Sequence, residues 1–382
     1  MATVIVAPYE VASFPEGGGH FWVYMQYIHA LRHAGCEVYW LEQFQPRGDA
    51  AAEERALAVF FERARAFGLA GHVLLYAPPA DGAPRRWLDG SAPGPEAILR
   101  RSDLLLNFHY AIAGDLLALP RRTALVDIDP GLLQVWISGG QMVVHPHDVY
   151  FTIGETVGTA AARFPDCGLR WLHITPPVCL DLWPCIDDPP GEMFTTVANW
   201  WGKWLKEVED GREVLRENTK RVGFAPFVDL PQHTPQPLEL ALNLADSDAD
   251  QRGMLEQRGW RVRHARDVTA TPEAYRAYLQ RSRGEFSAAK PAYVRFQNAW
   301  VSDRTVCYLA SGRPVVVQDT GPSTFLPKGE GMLRFTTVAE AAAALEAVNS
   351  DYERHHRAAR ALAETHFDAR RVIERILDAA LS

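Results

Sequence analysis

The segment Gly17-Gly18-Gly19-His20 places an imidazole directly after three glycines. Glycine lets a backbone approach a ligand closely. Imidazole titrates near neutrality and can take the proton of a reacting hydroxyl; His20 can equally do no more than cap the helix that follows. Asp127, in Leu125-Val126-Asp127-Ile128-Asp129, ends an apolar run and can orient His20 or touch a second substrate, while Asp129 suits a turn or a helix cap. Arg283, Lys290, Arg304 and Lys203 are cations that can neutralise a diphosphate-like anion, arginine as a bidentate fork and lysine as a point charge. Glu285 and Asp303 lie among them, and carboxylates suit hydroxyl groups. Ser302-Asp303-Arg304 opens a helical pattern whose first backbone N–H groups can also face an anion.

Weaker candidates follow strand-like runs. Gly154-Glu155-Thr156 can line a cleft. Trp200-Trp201 can stack on a base or a sugar, or pack on a neighbouring segment. His145-Pro146-His147-Asp148 lacks the helical i, i+4 spacing of a metal pair, and no metal site is expected. No G-x-S-x-G, Walker or G-x-G-x-x-G pattern occurs, which sets aside serine hydrolases, P-loop enzymes and nicotinamide enzymes.

These residues need a scaffold, and the chain alternates accordingly. Thr3–Ala7 is a buried strand, Phe21–Ala34 an apolar-faced helix stopped by Gly35, and Glu37–Leu41 the next strand. This is a βαβ unit, which implies a parallel sheet. Further strands are expected at Val73–Tyr76, Leu104–Phe108, Ala124–Ile128, Val149–Ile153 and Arg170–Ile174, with a helix at Ala51–Phe67 and a loop at Asp81–Pro95. The proline-rich stretch Thr175–Gly191 reads as a linker. A second series follows: strand Phe194–Ala198, helix Asp210–Lys220, an extended piece Pro226–Pro231, a strand or short helix at Leu238–Leu244 and a helix capped by Thr271. A helix at Val301–Ser311 ends at Gly312, strand Pro314–Gln318 follows, and the last forty residues are helical.

Composition bounds the rest. At roughly 100–200 residues per domain, 382 residues make two domains or one large one. With 47% apolar and 23% charged residues and a net charge of −8, the chain is neither disordered nor a basic nucleic-acid binder. No apolar run reaches the ~18 residues of a membrane span. The start, MATVIVAPYE, reads as a strand rather than a signal peptide. Five cysteines at wide spacing, without C-x-x-C, argue against a disulfide framework or a structural zinc site and point to the cytoplasm.

The segment Trp300–Gly321, WVSDRTVCYLASGRPVVVQDTG, resembles the C-terminal nucleotide-sugar-binding domain of GT-B glycosyltransferases of the group 1 type. Arg304, Leu309, Ala310, Gly312, Pro314, Val315 and Val316 carry the likeness. The Gly17–His20 loop is similar to the glycine loop after the first strand of such enzymes, and the layout agrees over nearly the whole chain.

The resemblance implies an α/β architecture, with two Rossmann-like doubly wound domains facing across a cleft. Residues 1–180 would bind the acceptor, 181–193 would link, 194–360 would bind the nucleotide sugar, and the helix in 361–382 would pack back on the first domain. It implies transfer of a sugar from a UDP, GDP or dTDP sugar to a small-molecule or glycan acceptor, with no bound cofactor or metal, no nucleic-acid partner and no membrane span. His20 would act as base with Asp127. Arg304, Lys290, Arg283, Lys203, Ser302, Thr320 and Gly321 would hold the donor, with Glu285 or Asp303 on ribose or sugar hydroxyls. Gly18, Gly19, Glu155 and Trp200 would face the acceptor.

The sequence departs from the retaining members at one point. Cys307 stands where their later glutamate would be, and Ala299 near the earlier one. Inverting or retaining stereochemistry therefore stays open. So do a sugar-nucleotide epimerase or hydrolase, and a non-catalytic binding protein, on the same fold.

Overall fold

The computed structural model describes residues 1–78, 85–209, 212–327 and 329–382. Its N-terminal half is built on eight strands: β1 (Thr3–Ala7), β2 (Glu37–Gln43), β3 (Val73–Ala77), β4 (Arg86–Trp87), β5 (Leu104–Asn107), β6 (Thr123–Asp127), β7 (Val149–Thr152) and β8 (Trp171–His173). They lie in the order β4-β3-β2-β1-β5-β6-β7-β8, all parallel except β4. The C-terminal half holds β9 (Phe194–Asn199), the hairpin β10 (Leu205–Glu209) and β11 (Arg212–Arg216), then β12 (Leu238–Asn243), β13 (Arg261–His264), β14 (Gly284–Ser287), β15 (Val315–Gln318) and β16 (Met332–Phe335). Apart from the hairpin these form a parallel sheet in the order β13-β12-β9-β14-β15-β16. Strands such as Leu104-Leu105-Leu106 and Val315-Val316 are apolar throughout because helices cover both faces of a parallel sheet.

Each sheet reverses its winding once, between β1 and β5 and between β9 and β14. The loops at the carboxyl ends of those strands splay apart, which makes a crevice in any doubly wound sheet. Here the two crevices open into one cleft. The loop after β1 leads into the Gly18–His33 helix, and Gly35 takes φ +81° where the chain leaves it, a left-handed conformation that suits glycine.

The halves are fused behind the cleft. Trp22 donates its indole N–H to the Pro272 carbonyl at 2.8 Å, and Thr269 Oγ1 bonds the Glu16 carbonyl. Trp22 and Met25 of the first helix share one apolar cluster with Tyr275, Val306 and Tyr308 from the second half and with Ile373 and Ile376 of the final helix, Ala369–Leu381. Arg375 of that helix also bonds the His173 carbonyl at 2.9 Å. No helix among the described residues is long and apolar enough to cross a membrane.

Two sequence expectations fail. The stretch read as a helix from Asp210, a residue outside those described, carries strand β11 as far as Arg216. There Glu213 lies opposite Val208 on β10 and its carboxylate pairs with Lys206. The run Arg-Glu-Val-Leu-Arg carries no clean period of its own, and antiparallel pairing with β10 along Leu205–Glu209 decides its conformation. The piece Pro226–Pro231 is not extended: Ala225–Phe227 and Leu230–Gln232 are 3₁₀ turns with a proline in the first turn of each, where its fixed φ fits and no N–H is needed. Leu238–Leu244, left open between strand and helix, is strand β12. Part of the Asp81–Pro95 loop, residues 81–84, lies outside the described residues.

Candidate active site

The cleft has a volume of about 750 Å³ and is lined from both halves. On the first half stand Gly17, Gly19, His20, Val23, Tyr27 and Asp129. On the second stand Asn199, Trp201, Lys220, Lys290, Tyr293, Ser302, Asp303 and Arg304.

His20 lies in the third position of a helix that begins at Gly18, so it does not cap a helix at Phe21. Its ring is held by the loop after β1, with Nε2 2.7 Å from the Tyr9 carbonyl oxygen. That contact assigns the proton to Nε2 and leaves Nδ1 as the basic nitrogen. Burial pushes the imidazole below its ordinary value, opposed by the Tyr9 carbonyl and by the negative charge of Asp303, Glu10 and Asp129. The group is therefore a neutral base at neutral pH.

Facing it, Ser302 caps the Asp303–Ala310 helix by accepting the Arg304 N–H at 3.2 Å. Lys220, Lys290 and Arg304 line the cavity on this side. Arg304 donates Nε to Glu285 at 2.7 Å, Nη1 to the Val197 carbonyl at 2.7 Å and Nη2 to Ser287 Oγ at 2.8 Å. Burial works against its charge, but Glu285 together with Tyr275 and Tyr308 outweighs that and holds the guanidinium ionised. Lys220 is buried and donates to the Ala288 carbonyl. Burial, and then Arg304 and Lys290, push its ammonium well down. Among the described residues, Lys290 has no hydrogen bond or ion pair. Burial lifts the Asp303 carboxyl, against the pull of Arg304 and His20. The arrangement sets a half-buried imidazole opposite a positive, partly desolvated pocket, which can stabilise negative charge that develops on a leaving anion.

Asp129 joins the halves at the rim. Tyr293 Oη donates to one carboxylate oxygen at 3.1 Å and Tyr110 Oη to the other at 3.3 Å.

Of the residues expected from the sequence, His20, Gly19, Lys290, Ser302, Asp303 and Arg304 share the cleft. The others lie elsewhere. Asp127 is wholly buried at the end of β6, accepting from Gln134 and Thr152 at 2.9 Å each, so it reaches neither His20 nor an acceptor. Glu285, 0% exposed, sits under the floor as the Arg304 counter-ion and meets no ribose. Arg283 donates to Asn349 at 2.6 Å and lies over the Tyr352 ring, away from the cleft. Lys203 is exposed beside it. Thr320 binds the Trp300 carbonyl at 2.8 Å and lines only a small cavity of about 20 Å³ beneath, and Gly321 packs on the Gln297 backbone. Glu155 accepts from the Thr324 backbone and hydroxyl at 2.6 Å, a link between the halves outside the cleft. Gly18 is the close approach of the first helix to Thr271. Trp200 is 1% exposed in the core of the second half; its neighbour Trp201 lines the cleft instead.

Sequence reading missed Lys220, Tyr293, Asn199 and the cleft-facing role of Asp129. Lys220 had one local signal, the Thr219 that caps its short helix, and that signal speaks of structure, not chemistry.

Neither a protein-family model nor a curated protein matches the chain. Solved structures do. HepE of Anabaena in complex with UDP and glucose superposes with a TM-score of 0.58 at 12% identity, covering 99% of both chains. A glycosyltransferase of Rickettsia africae gives 0.56 at 9% identity over 99% of this chain and 97% of its own. The pneumococcal O-GlcNAc transferase GtfA, in complex with UDP and GlcNAc, gives 0.55 at 9% identity over 99% and 98%. The chain has the GT-B glycosyltransferase fold, with two Rossmann-like halves.

Proposed function

We propose that this GT-B chain is a glycosyltransferase that moves a sugar from a nucleoside-diphosphate sugar to a small-molecule or glycan acceptor. The donor binds in the 194–360 half and the acceptor against residues 1–180, on either side of the cleft. The observation that carries this reading is the opposition of His20 to Lys220, Lys290 and Arg304 around one cavity. The UDP complexes of the HepE and GtfA structures give it a donor class, with GDP and dTDP as the other candidates.

In this reading Lys290 and the N–H groups of the Ser302-capped helix meet the diphosphate. Arg304, fixed from below by Glu285, lends its charge, and so does Lys220 to the extent that it is protonated. Negative charge grows on that diphosphate as the glycosidic bond breaks, so cations held in place lower the barrier rather than only bind substrate. Nδ1 of His20 takes the acceptor hydroxyl proton, and Asp303 holds a sugar hydroxyl. Trp201 stacks on the base or the sugar.

A second reading, a binding protein without turnover, has one observation in its favour. Cys307 is buried with Sγ 3.7 Å from Gln26 Nε2, so position 307 offers no carboxylate to a ribose.

Thermal unfolding against UDP, GDP, dTDP, ADP and NADH, followed by assay of sugar release or transfer from the sugar nucleotide that binds, decides between them. A ligand at 100 times its Kd adds about 2.7 kcal/mol of stability. Stabilisation by one nucleoside diphosphate together with turnover supports the transferase. Weak binding without turnover, or no response to any nucleoside diphosphate, favours the second reading and removes the transferase. Among active proteins, isomerised sugar nucleotide without transfer would point to an epimerase.

A further inference from the structure

We propose that Cys185, Asp187 and His356 form a site for a divalent transition metal of the zinc class, outside the cleft and independent of sugar transfer. Cys185 and Asp187 lie in the proline-rich stretch between the halves, and His356 on the Tyr352–Leu362 helix. Their ligand atoms all fall within 4.8 Å of one another. Cys185 Sγ is 3.6 Å from His356 Nε2, and Asp187 Oδ1 is 3.7 Å from the same nitrogen. A tetrahedral zinc, with Zn–S about 2.3 Å and Zn–N or Zn–O about 2.0–2.1 Å, separates sulfur from nitrogen by about 3.6 Å and nitrogen from oxygen by about 3.3 Å. The first spacing is already met. The second needs a small swing of the Asp187 side chain, which is 93% exposed.

Two further features of the surroundings suit the triad to a metal. His356 Nδ1 donates to the Gly312 carbonyl at 2.6 Å, which turns the Nε2 lone pair toward the thiol and the carboxylate. A backbone or carboxylate acceptor on the far nitrogen is the usual support of a metal-bound histidine. Gly312 also leaves the space: a Cβ there would stand 2.5 Å from the His356 ring and 2.8 Å from Cys185 Sγ. Burial and the neighbouring Asp187 charge push the Cys185 thiol up, and the positive charge of Arg360 and Arg313 opposes them. Both guanidiniums also bond backbone carbonyls, Arg360 those of Trp183 and Ala310, Arg313 that of Gln280.

Thiolate, imidazole and carboxylate together suit zinc or cobalt and carry two negative charges to balance the ion; a water completes four-coordination. A Cys–His–Asp nucleophile is a poorer reading of the same residues. There the carboxylate orients the ring through the nitrogen remote from the thiol, whereas here Asp187 and Cys185 share one nitrogen. The other candidate cluster, His29, His33 and Asp181, holds no sulfur, so the two are spectroscopically distinct. A metal at Cys185 would pin the inter-half stretch to the Tyr352–Leu362 helix.

The test uses the full chain, reduced, stripped with EDTA, dialysed and titrated with Co²⁺. One equivalent should bring up a thiolate-to-cobalt charge-transfer band that Zn²⁺ bleaches. The band should vanish in Cys185→Ser and persist in Cys36→Ser. In the unmutated protein, Zn²⁺ should slow alkylation of Cys185, followed by peptide mass spectrometry, by about tenfold or more. Absence of the band in the unmutated protein, its survival in Cys185→Ser, or unslowed alkylation would each overturn the site. The unmutated protein gives two of these readouts, so misfolding of a variant cannot hide the answer, and none depends on transferase activity.

Discussion

Glu285, without solvent exposure, accepts Arg304 Nε at 2.7 Å and supplies the counter-charge that keeps a cleft-lining guanidinium ionised. Arg304 Nη2 lies 2.7 Å from the same oxygen, while Glu285 Oε2 has no hydrogen-bond partner among the described residues, so the pair rests on Oε1. Removing one member of a buried pair typically costs about 3–5 kcal/mol, because the other is left uncompensated. Glu285→Ala and Arg304→Ala should both destabilise to that extent in urea unfolding. A cost below about 1 kcal/mol for Glu285→Ala would mean that the pair is solvated and Arg304 is free to move.

Lys290 separates binding from folding. Among the described residues its side chain has no hydrogen bond or ion pair, so Lys290→Ala should leave the melting point within about 1–2 °C. Nucleoside-diphosphate affinity should fall by about 10–100-fold, the range expected for a hydrogen bond to a charged group. Titration calorimetry reads both the loss and, through the untouched melting point, its cause. Unchanged affinity would take Lys290 out of the donor site.

His20 makes a prediction about pH. Burial lowers its pKa, so the ring stays neutral below its ordinary value of about 6.5. The acid limb of kcat/KM should therefore lie below pH ~6.5. His20→Gln should abolish the limb and lower kcat by roughly 10²–10⁴-fold while donor affinity holds. A variant with full turnover would remove the base assignment.

Two buried carboxyls set an opposite trend in stability. Burial lifts Asp127 and Glu42 to about 7 each. Their folded values exceed the unfolded ones of about 4, so the folded state holds protons that the unfolded state has released across that interval. Their stabilisation is full below about pH 4 and is lost as pH rises through 7. Asp127→Asn and Glu42→Gln should each flatten the decline in unfolding free energy between pH 5 and 8, by an amount on the order of 2–4 kcal/mol at most. Parallel pH curves for variant and parent would refute this.

Gly18 tests the seam between the halves. A Cβ at this position would meet the Thr271 carbonyl oxygen at 2.3 Å, and backbone cannot turn aside as a flexible side chain can. Gly18→Ala should cost about 1–3 kcal/mol, the range for overpacking, by forcing the first helix away from Thr271. A melting point equal to that of the parent would show that the seam gives way freely.

What the sequence determined by itself was local. The β-branched run Thr3–Ala7, Gly35 at a helix end, Thr271 as a cap and the Gly312-x-Pro314-Val-Val run each reported their own conformation, because capping, left-handed turns and strand burial depend on neighbours a few residues away. Those signals were enough to imply two doubly wound sheets, and the cleft candidates His20, Lys290 and Arg304 followed from the resemblance carried by Gly17–His20 and Trp300–Gly321. The Asp210–Lys220 error shows the limit, since a short mixed run such as Arg212–Arg216 takes its conformation from the strand it pairs with.

Only the tertiary structure decided which polar residues face the cleft and which lie beneath it. Glu285 and Lys290 are five residues apart, yet strand β14 buries the first while the loop after it exposes the second to the cavity. Asp129 meets Tyr293, Arg304 meets the Val197 carbonyl, and Cys185 meets His356 across separations of 107 residues or more. No spacing rule reaches that far: such contacts are chosen by how the two sheets pack, and packing is a property of the whole chain.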